Sequence, residues 1–171
     1  MSRVKHIYNG RVVALDVERV ELPNGRTAEL EIVRHPGGAA VVALDDQGRV
    51  CLLRQYRHAA GGWVWEIPAG KIDGGEEPGV TARRELAEEA GRTARQWAPL
   101  GAYLSSPGVF TELIHLFLAR DLTGSEARTE EHEVLEAHWI ALREALAMAD
   151  DGRIRDGKTL VALYRVRRLA T

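Results

Sequence analysis

The sequence predicts an α/β (α+β) fold in which a mixed β-sheet is sandwiched between helices and preceded by an antiparallel β-hairpin. Polar and apolar residues alternate on both sides of a turn at residues 23–25, which is the pattern of a hairpin. Near-continuous apolar runs follow, as expected of strands that are covered on both faces. An amphipathic segment at residues 78–91 and two C-terminal segments supply the helices that cover such a sheet.

The first third of the chain is predicted to be strands. Arg11–Glu21 and Thr27–Arg34 form the hairpin, because Pro23-Asn24-Gly25 between them is a typical turn sequence. The apolar runs Ala39–Leu44 and Arg49–Tyr56 form two buried strands joined by a turn. This order divides the chain into an N-terminal hairpin subdomain, residues 1–36, and a main domain, residues 37–171.

The segment 78–91 is predicted to be a helix. Pro78 suits the first helical position, Gly91 suits the C-terminal stop, and the apolar residues between them fall on one arc of the helical wheel. The remaining predicted elements are the strands Gly101–Leu104, Ile114–Ala119 and Leu135–Ile140, the loops 105–111 and 123–132, and the helices Leu142–Ala149 and Leu160–Leu169.

Composition and charge limit the possible partners. Lys plus Arg is 23 and Asp plus Glu is 25, so the net charge of −2 gives no electrostatic footprint for nucleic acid. No apolar run approaches the roughly 20 residues that a membrane helix needs, and residues 1–8 lack the apolar stretch of a secretory signal. We therefore expect a cytoplasmic protein with a small-molecule ligand, and we expect the lone Cys51 to be a buried apolar residue.

The helix 78–91 carries a concentration of carboxylates. Glu85, Glu88 and Glu89 fall within an arc of about 100° beside the apolar face, and Glu89 is expected at an exposed position. Glu85 and Glu89 are four residues apart, where like charges destabilise a helix. A hard divalent cation such as Mg²⁺ or Mn²⁺ would compensate the repulsion. The alternative is a solvated acidic face with ordinary surface salt bridges to Arg84 and Arg92.

The residues around this helix favour the cation. Gly70, Glu76, Arg84, Glu85, Glu88, Glu89 and Gly91 stand at fixed spacings: a glycine, five residues, a glutamate, seven residues, then Arg-Glu-Leu-Ala-Glu-Glu-Ala-Gly. This arrangement resembles the Nudix box and implies the Nudix fold with pyrophosphate hydrolysis. One position departs, because Arg92 stands where the box has an aliphatic residue.

Each part of the box has an expected task. Gly70 lets the backbone turn tightly so that a main-chain carbonyl such as that of Ala69 can face the metal. Glu76 can pair with Arg84 and fix the loop against the helix. The resemblance implies that Glu85 and Glu89 are the principal metal ligands, that Glu88 shares a further ion or positions water, and that two or three Mg²⁺ (or Mn²⁺) ions are bound.

Segments outside the box resemble the ADP-ribose pyrophosphatase branch of the Nudix superfamily. They are Gln55-Tyr56-Arg57 with Trp65–Gly70, the Ser105–Gly108 turn, and Asp156–Leu160. The resemblance implies that Arg57 touches the substrate phosphates, as a planar five-donor head can do bidentately. It also implies that Glu66, Pro107 and Gly108 are substrate-binding residues. ADP-ribose is thus the predicted substrate, cleaved to AMP and ribose 5-phosphate.

A general base is expected in the acidic loop before the last strand. Alignment of residues 135–137 with the family's strand selects Glu133, and a shift of two residues selects Glu131, while His132 is interpreted as a bystander. If neither is the base, Glu88 of the box is the next candidate.

Two other interpretations stay open. Relatives that bind ADP-ribose often have Arg-any-Glu on the second N-terminal strand, contacting adenine; Glu31 fits this pattern and Glu29 does not. GDP-mannose or another nucleotide sugar is therefore an alternative substrate. A non-catalytic Nudix ligand sensor is an alternative of another class, although the three glutamates of the box are intact. Finally, the resemblance implies a homodimer in which the N-terminal hairpin crosses to a partner.

Overall fold

The computed structural model describes residues 3–127 and 133–168. The strands are β1 (Arg3–Asn9), β2 (Ala14–Glu21), β3 (Thr27–Arg34), β4 (Gly38–Ala43), β5 (Arg49–Arg57), β6 (Gly62–Glu66), β7 (Ala69–Lys71), β8 (Arg92–Leu104), β9 (Leu113–Gly124) and β10 (Leu135–Ala141). The helices are α1 (Pro78–Ala90), α2 (Leu142–Asp150) and α3 (Gly157–Arg167), with a single 3-10 turn at His58–Ala60.

The N-terminal sheet has three antiparallel strands in the order β1-β2-β3. The predicted hairpin is its β2–β3 pair, which closes through Gly25 in the left-handed conformation. Strand β1 was not predicted, because its apolar residues Val4, Ile7 and Tyr8 are exposed and give no core pattern. Residues 105–111 contact this sheet, since Val33 donates to the carbonyl of Val109 and accepts from the amide of Thr111.

Two further sheets form the core. One is mixed, in the order β7-β4-β9-β8, with β4 and β9 parallel; the other is antiparallel, in the order β10-β5-β6. Every residue of β4 is buried, and Cys51 of β5 is buried as predicted. One core cluster packs against α1 and the other against α2 and α3. The predicted sandwich of a mixed sheet between helices is confirmed.

Some boundaries differ from the prediction. β8 spans residues 92–104 and not only 101–104, because it pairs with β9 along this whole length, with one register shift between Pro99 and Gly101. α3 begins at Gly157, three residues early, because Asp156 caps it by accepting a hydrogen bond from the amide of Thr159. The division at residues 36 and 37 stays a prediction. Within residues 3–127 and 133–168, none of the helices has the length and apolar character needed to span a membrane.

Candidate active site

A cavity of about 770 Å³ opens where one side of α1, the short strand β7 and the first turn of α3 meet. Seven of the residues predicted for the site line it: Arg57, Ala69, Gly70, Arg84, Glu85, Glu88 and Glu133. The fold therefore brings the box, the Gln55–Arg57 segment and the candidate base to one place.

Helix α1 has the predicted ends. Pro78 is its first residue, and Gly91, at φ 58, donates its amide to the carbonyl of Ala87 and ends the helix. Arg92, the departure from the box, begins β8 with its guanidinium over the ring of Trp139, 5.5 Å from the centroid. A cation–π contact thus takes the place of the expected aliphatic packing.

Two of the three carboxylates of α1, Glu85 and Glu89, are buried, while Glu88 is partly exposed; the prediction that Glu89 is at an exposed position was wrong. Glu85 is 7% exposed and Glu89 is 3% exposed. Both flank the apolar stripe that contains Leu86, and β7 packs over them, so burial extends beyond the apolar face. A wheel drawn from sequence cannot reveal such a covering strand.

Gly70 is required for a reason other than the predicted tight turn. It lies in β7 without a positive φ, and a Cβ added there would overlap the Glu85 carboxylate. The missing side chain therefore makes room for this carboxylate against the strand. Ala69 contributes its amide, which donates to Glu89 Oε2 at 2.8 Å.

Arg84 lies among the carboxylates. Its NH1 donates to Glu85 Oε1 at 2.6 Å and to Glu88 Oε2 at 3.1 Å, and its NH2 donates to Glu76 Oε1 at 3.1 Å. The predicted pair between Glu76 and Arg84 is thus present. Arg84 thus bridges Glu85 and Glu88, and in the described part of the chain no three His, Cys, Asp or Glu side chains are grouped so that they could hold a metal ion as they stand.

The buried carboxylates have unusual acidity. Burial raises the pKa of Glu85 to about 7, although Arg84 opposes the shift. Burial likewise raises the pKa of Glu89 to about 8, against the hydrogen bond from the amide of Ala69. The positive charge of Arg84 alone therefore does not offset the cost of burying the Glu85 and Glu89 carboxylates. A hard divalent cation fits these carboxylate oxygens as ligands.

We expect the metal-free protein to lose stability as the pH rises. The pKa values of Glu85 and Glu89 in the folded state exceed the unfolded value of 4.5, so the folded state binds more protons between these limits. The contribution of these two groups to the free energy of unfolding is then greatest below pH 4.5 and is lost as the pH rises from 4.5 through 7 and 8. Each group contributes at most about 1.4 kcal/mol per pH unit. Urea unfolding with a chelator at several pH values measures this.

Cations also line the cavity, among them Arg57 and Lys158. Arg57 donates from Nε and NH2 to the two oxygens of Glu66, at 2.8 and 2.9 Å, and Lys158 also donates to Glu66. Glu66 is 4% exposed and reaches Arg57 from beneath the cavity surface. Burial alone would raise the pKa of Glu66, but Arg57 and Lys158 outweigh it and lower the pKa to about 2.

Glu133 is half-buried at the cavity, and its charge contributes to the raised pKa of Glu85 and of Glu89. Glu131 and His132 lie outside the described residues. Glu31, Pro107 and Gly108 do not line the cavity of this single chain; Glu31 lies on the N-terminal sheet beside Glu29 and Arg19.

Several residues that line the cavity were not predicted from the sequence: His35, Lys71, Tyr103, Glu112 and Lys158. Of these five, only Lys158 lies in a segment, Asp156–Leu160, that resembles the ADP-ribose pyrophosphatase branch.

Comparison with known proteins adds a family match. The protein-family model described as "NUDIX domain" matches residues 34–163 of this chain. The chain is 42% identical over 161 residues to the ADP-ribose pyrophosphatase of Bacillus subtilis (strain 168), covering 93% of this chain and 87% of that protein. It is 43% identical over 163 residues to the methanol dehydrogenase activator of Bacillus methanolicus, covering 94% and 88%. A crystal structure of an ADP compounds hydrolase superposes with a TM-score of 0.84, covering 98% of this chain and 91% of that chain at 24% identity, a likeness of fold.

Proposed function

Because the chain belongs to the NUDIX domain family, we propose that it hydrolyses the pyrophosphate bond of a nucleoside diphosphate derivative, with ADP-ribose as the substrate. The chain is a Nudix hydrolase, and the products from ADP-ribose are AMP and ribose 5-phosphate. The observation that carries this proposal is a cavity lined by the buried carboxylate of Glu85, by Glu88 and by the cation Arg57; Glu89, which is also buried, lies one helical turn from Glu85.

We propose that the carboxylates hold two or three Mg²⁺ or Mn²⁺ ions. Glu85, Glu88 and Glu89 would supply oxygen ligands together with the carbonyl of Ala69, after Arg84 has moved from Glu85. A bound divalent ion neutralises phosphate oxygens and lowers the pKa of coordinated water. The raised pKa values of Glu85 and Glu89 support this assignment, because a cation relieves the cost of burying their charges.

The other residues act on the substrate. Arg57 binds phosphate oxygens and so holds the bond to be cleaved near the acidic wall. Water attacks one phosphorus, its proton passes to the Glu133 carboxylate, and the bond from that phosphorus to the bridging oxygen breaks. Glu88 is the alternative base.

Glu133→Gln is expected to lower kcat by about 10²-fold or more, the usual range for removing a general base. KM and Mg²⁺ dependence should change little, because the substitution preserves shape and removes only the proton acceptor. Steady-state kinetics on the purified protein measure this, with Glu131→Gln beside it. If Glu131→Gln is the more damaging substitution, the base is Glu131; if both variants retain full turnover, the base is Glu88.

The substrate proposal is tested with a panel of ADP-ribose, GDP-mannose, NADH, diadenosine polyphosphates and nucleoside triphosphates, each incubated with Mg²⁺ and the protein. ADP-ribose should have the highest kcat/KM, with AMP among the products. GDP-mannose is the second candidate, because Glu29 stands where an adenine-contacting arginine is expected. A higher kcat/KM for GDP-mannose would replace the first assignment.

We further propose a homodimer. Glu31 lies away from the cavity of its own chain, and the N-terminal sheet exposes Val4, Ile7 and Tyr8. A second copy that covers this sheet would bury these side chains and could carry Glu31 to the partner's cavity. Light scattering coupled to size-exclusion chromatography gives the mass in solution, and a monomer at assay concentration would contradict the proposal.

A further inference from the structure

The first turn of α3 is tied to the chain that leads into the cavity. Asp156 accepts hydrogen bonds from the amide and the hydroxyl of Thr159, at 3.0 and 2.6 Å. The Thr159 hydroxyl oxygen in turn accepts the amide of Ile67 at 2.9 Å, and both Thr159 and Ile67 are fully buried. These hydrogen bonds therefore fix the first turn of α3 relative to Ile67, which follows Glu66 in the chain.

The side chain of Lys158 extends from the first turn of α3 to Glu66. Its ammonium donates to Glu66 Oε2 and lies 3.1 Å from Asp156 Oδ1. Glu66 also accepts the paired donors of Arg57, so one buried carboxylate joins two cations that come from segments about a hundred residues apart in sequence. Arg57 and Lys158 both line the cavity.

The charges of this group favour an anion in the cavity. Arg57 with Glu66 alone would be a neutral pair, whose carboxylate cancels the field of the guanidinium. Lys158 adds a second positive charge beside this pair. Asp156 caps α3 with Oδ2, and its Oδ1, 3.1 Å from the Lys158 ammonium, offsets part of that charge.

The geometry also fixes the direction of Arg57. Nε and NH2 are used on Glu66, and within the described residues no hydrogen bond is made by NH1, which is left for a ligand. Lys158 donates to Glu66 Oε2, the oxygen that also accepts from Arg57, so a third hydrogen bond restrains the carboxylate and with it the guanidinium plane.

We infer that Lys158 is a positioning residue for phosphate binding: it holds Glu66, through Glu66 it sets the orientation of Arg57, and it adds a positive charge beside the Arg57–Glu66 pair. The inference rests on the proposed role of Arg57 in binding the substrate phosphates. It assigns a task to the Asp156–Leu160 segment, which the proposed reaction does not otherwise use.

The test uses inorganic pyrophosphate as the probe, with binding measured by calorimetry on the full chain without divalent metal. Lys158→Met should weaken binding by about tenfold, as expected when a charge-assisted hydrogen bond is lost. Lys158→Arg keeps the charge and should stay within about threefold of the unaltered protein. Arg155→Met removes a neighbouring exposed cation that does not line the cavity, and it should leave the affinity unchanged.

A double-mutant cycle separates positioning from direct contact. In an Arg57→Gln background, Lys158→Met should have almost no further effect, because the group through which it acts is gone. Additive losses would show that Lys158 binds pyrophosphate by itself and would overturn the inference, as would no detectable binding to the unaltered protein. Lys158→Gln replaces Lys158→Met if the latter fails to fold by melting. Hydrolysis of ADP-ribose by the unaltered protein is assayed separately, so failure of the proposed function is distinguished from failure of this inference.

Discussion

Glu89→Gln is expected to remove nearly all turnover, by about 10³-fold, while raising the melting temperature of the metal-free protein at pH 8. Turnover falls because a bound metal contributes several kcal/mol to stabilising the charge of the transition state. Each loss of about 1.4 kcal/mol lowers the rate tenfold. The melting temperature rises because Glu89 is 3% exposed, and an amide at this position removes a buried charge without changing shape. The amide oxygen of glutamine can still accept the hydrogen bond from Ala69.

Steady-state kinetics and thermal unfolding with a chelator measure the two effects together. Glu77→Gln is the matched control, because Glu77 is exposed at the start of α1 and its side chain makes no capping hydrogen bond. The variant at residue 89 should also show a weaker dependence of stability on pH than the control. Full activity in Glu89→Gln would refute the metal-ligand role, and an unchanged pH dependence would refute the raised pKa.

Gly70→Ala is expected to abolish divalent-ion binding and to lower turnover by about 10²-fold or more, since a misplacement of about 1 Å at a catalytic group is that costly. The added methyl group occupies the place of the Glu85 carboxylate, which is the end of a flexible side chain and can rotate away. The fold should therefore survive while the carboxylate leaves its position.

Titration with Mn²⁺, followed by the loss of the free-ion electron paramagnetic resonance signal, measures binding independently of activity. Gly124→Ala is the control, because no atom lies within 4 Å of the Cβ added there and its φ is not positive. Normal Mn²⁺ affinity in Gly70→Ala would show that Glu85 is not a ligand.

The sequence predicted those parts of the site that depend on local spacing. The glutamates of α1, its Pro78 start and its Gly91 end follow from helical periodicity and capping, which neighbouring residues determine. The burial of Glu85 and Glu89 could not be predicted in this way, because it depends on β7, which packs over the helix only in the folded chain.

Contacts between distant segments were also outside the reach of one sequence. Nothing in the residues near Glu66 indicates that Lys158 will bind it, since no local pattern links positions this far apart. Strand β1 was missed for a different reason: its side chains are largely exposed, so the alternation that marks a buried strand is missing.

The parallel pairing of β4 with β9 determines when this molecule can fold during its synthesis. Gly38 pairs with Ile114, 114 − 38 = 76 positions later, and β4 is an entirely apolar strand. A ribosome that adds about 5–20 residues per second leaves β4 without its partner for roughly 4 to 15 s. During that interval the edge of β4 that β9 later covers is unpaired and can join other nascent chains, so chaperones that cover such an edge should increase the yield of folded protein.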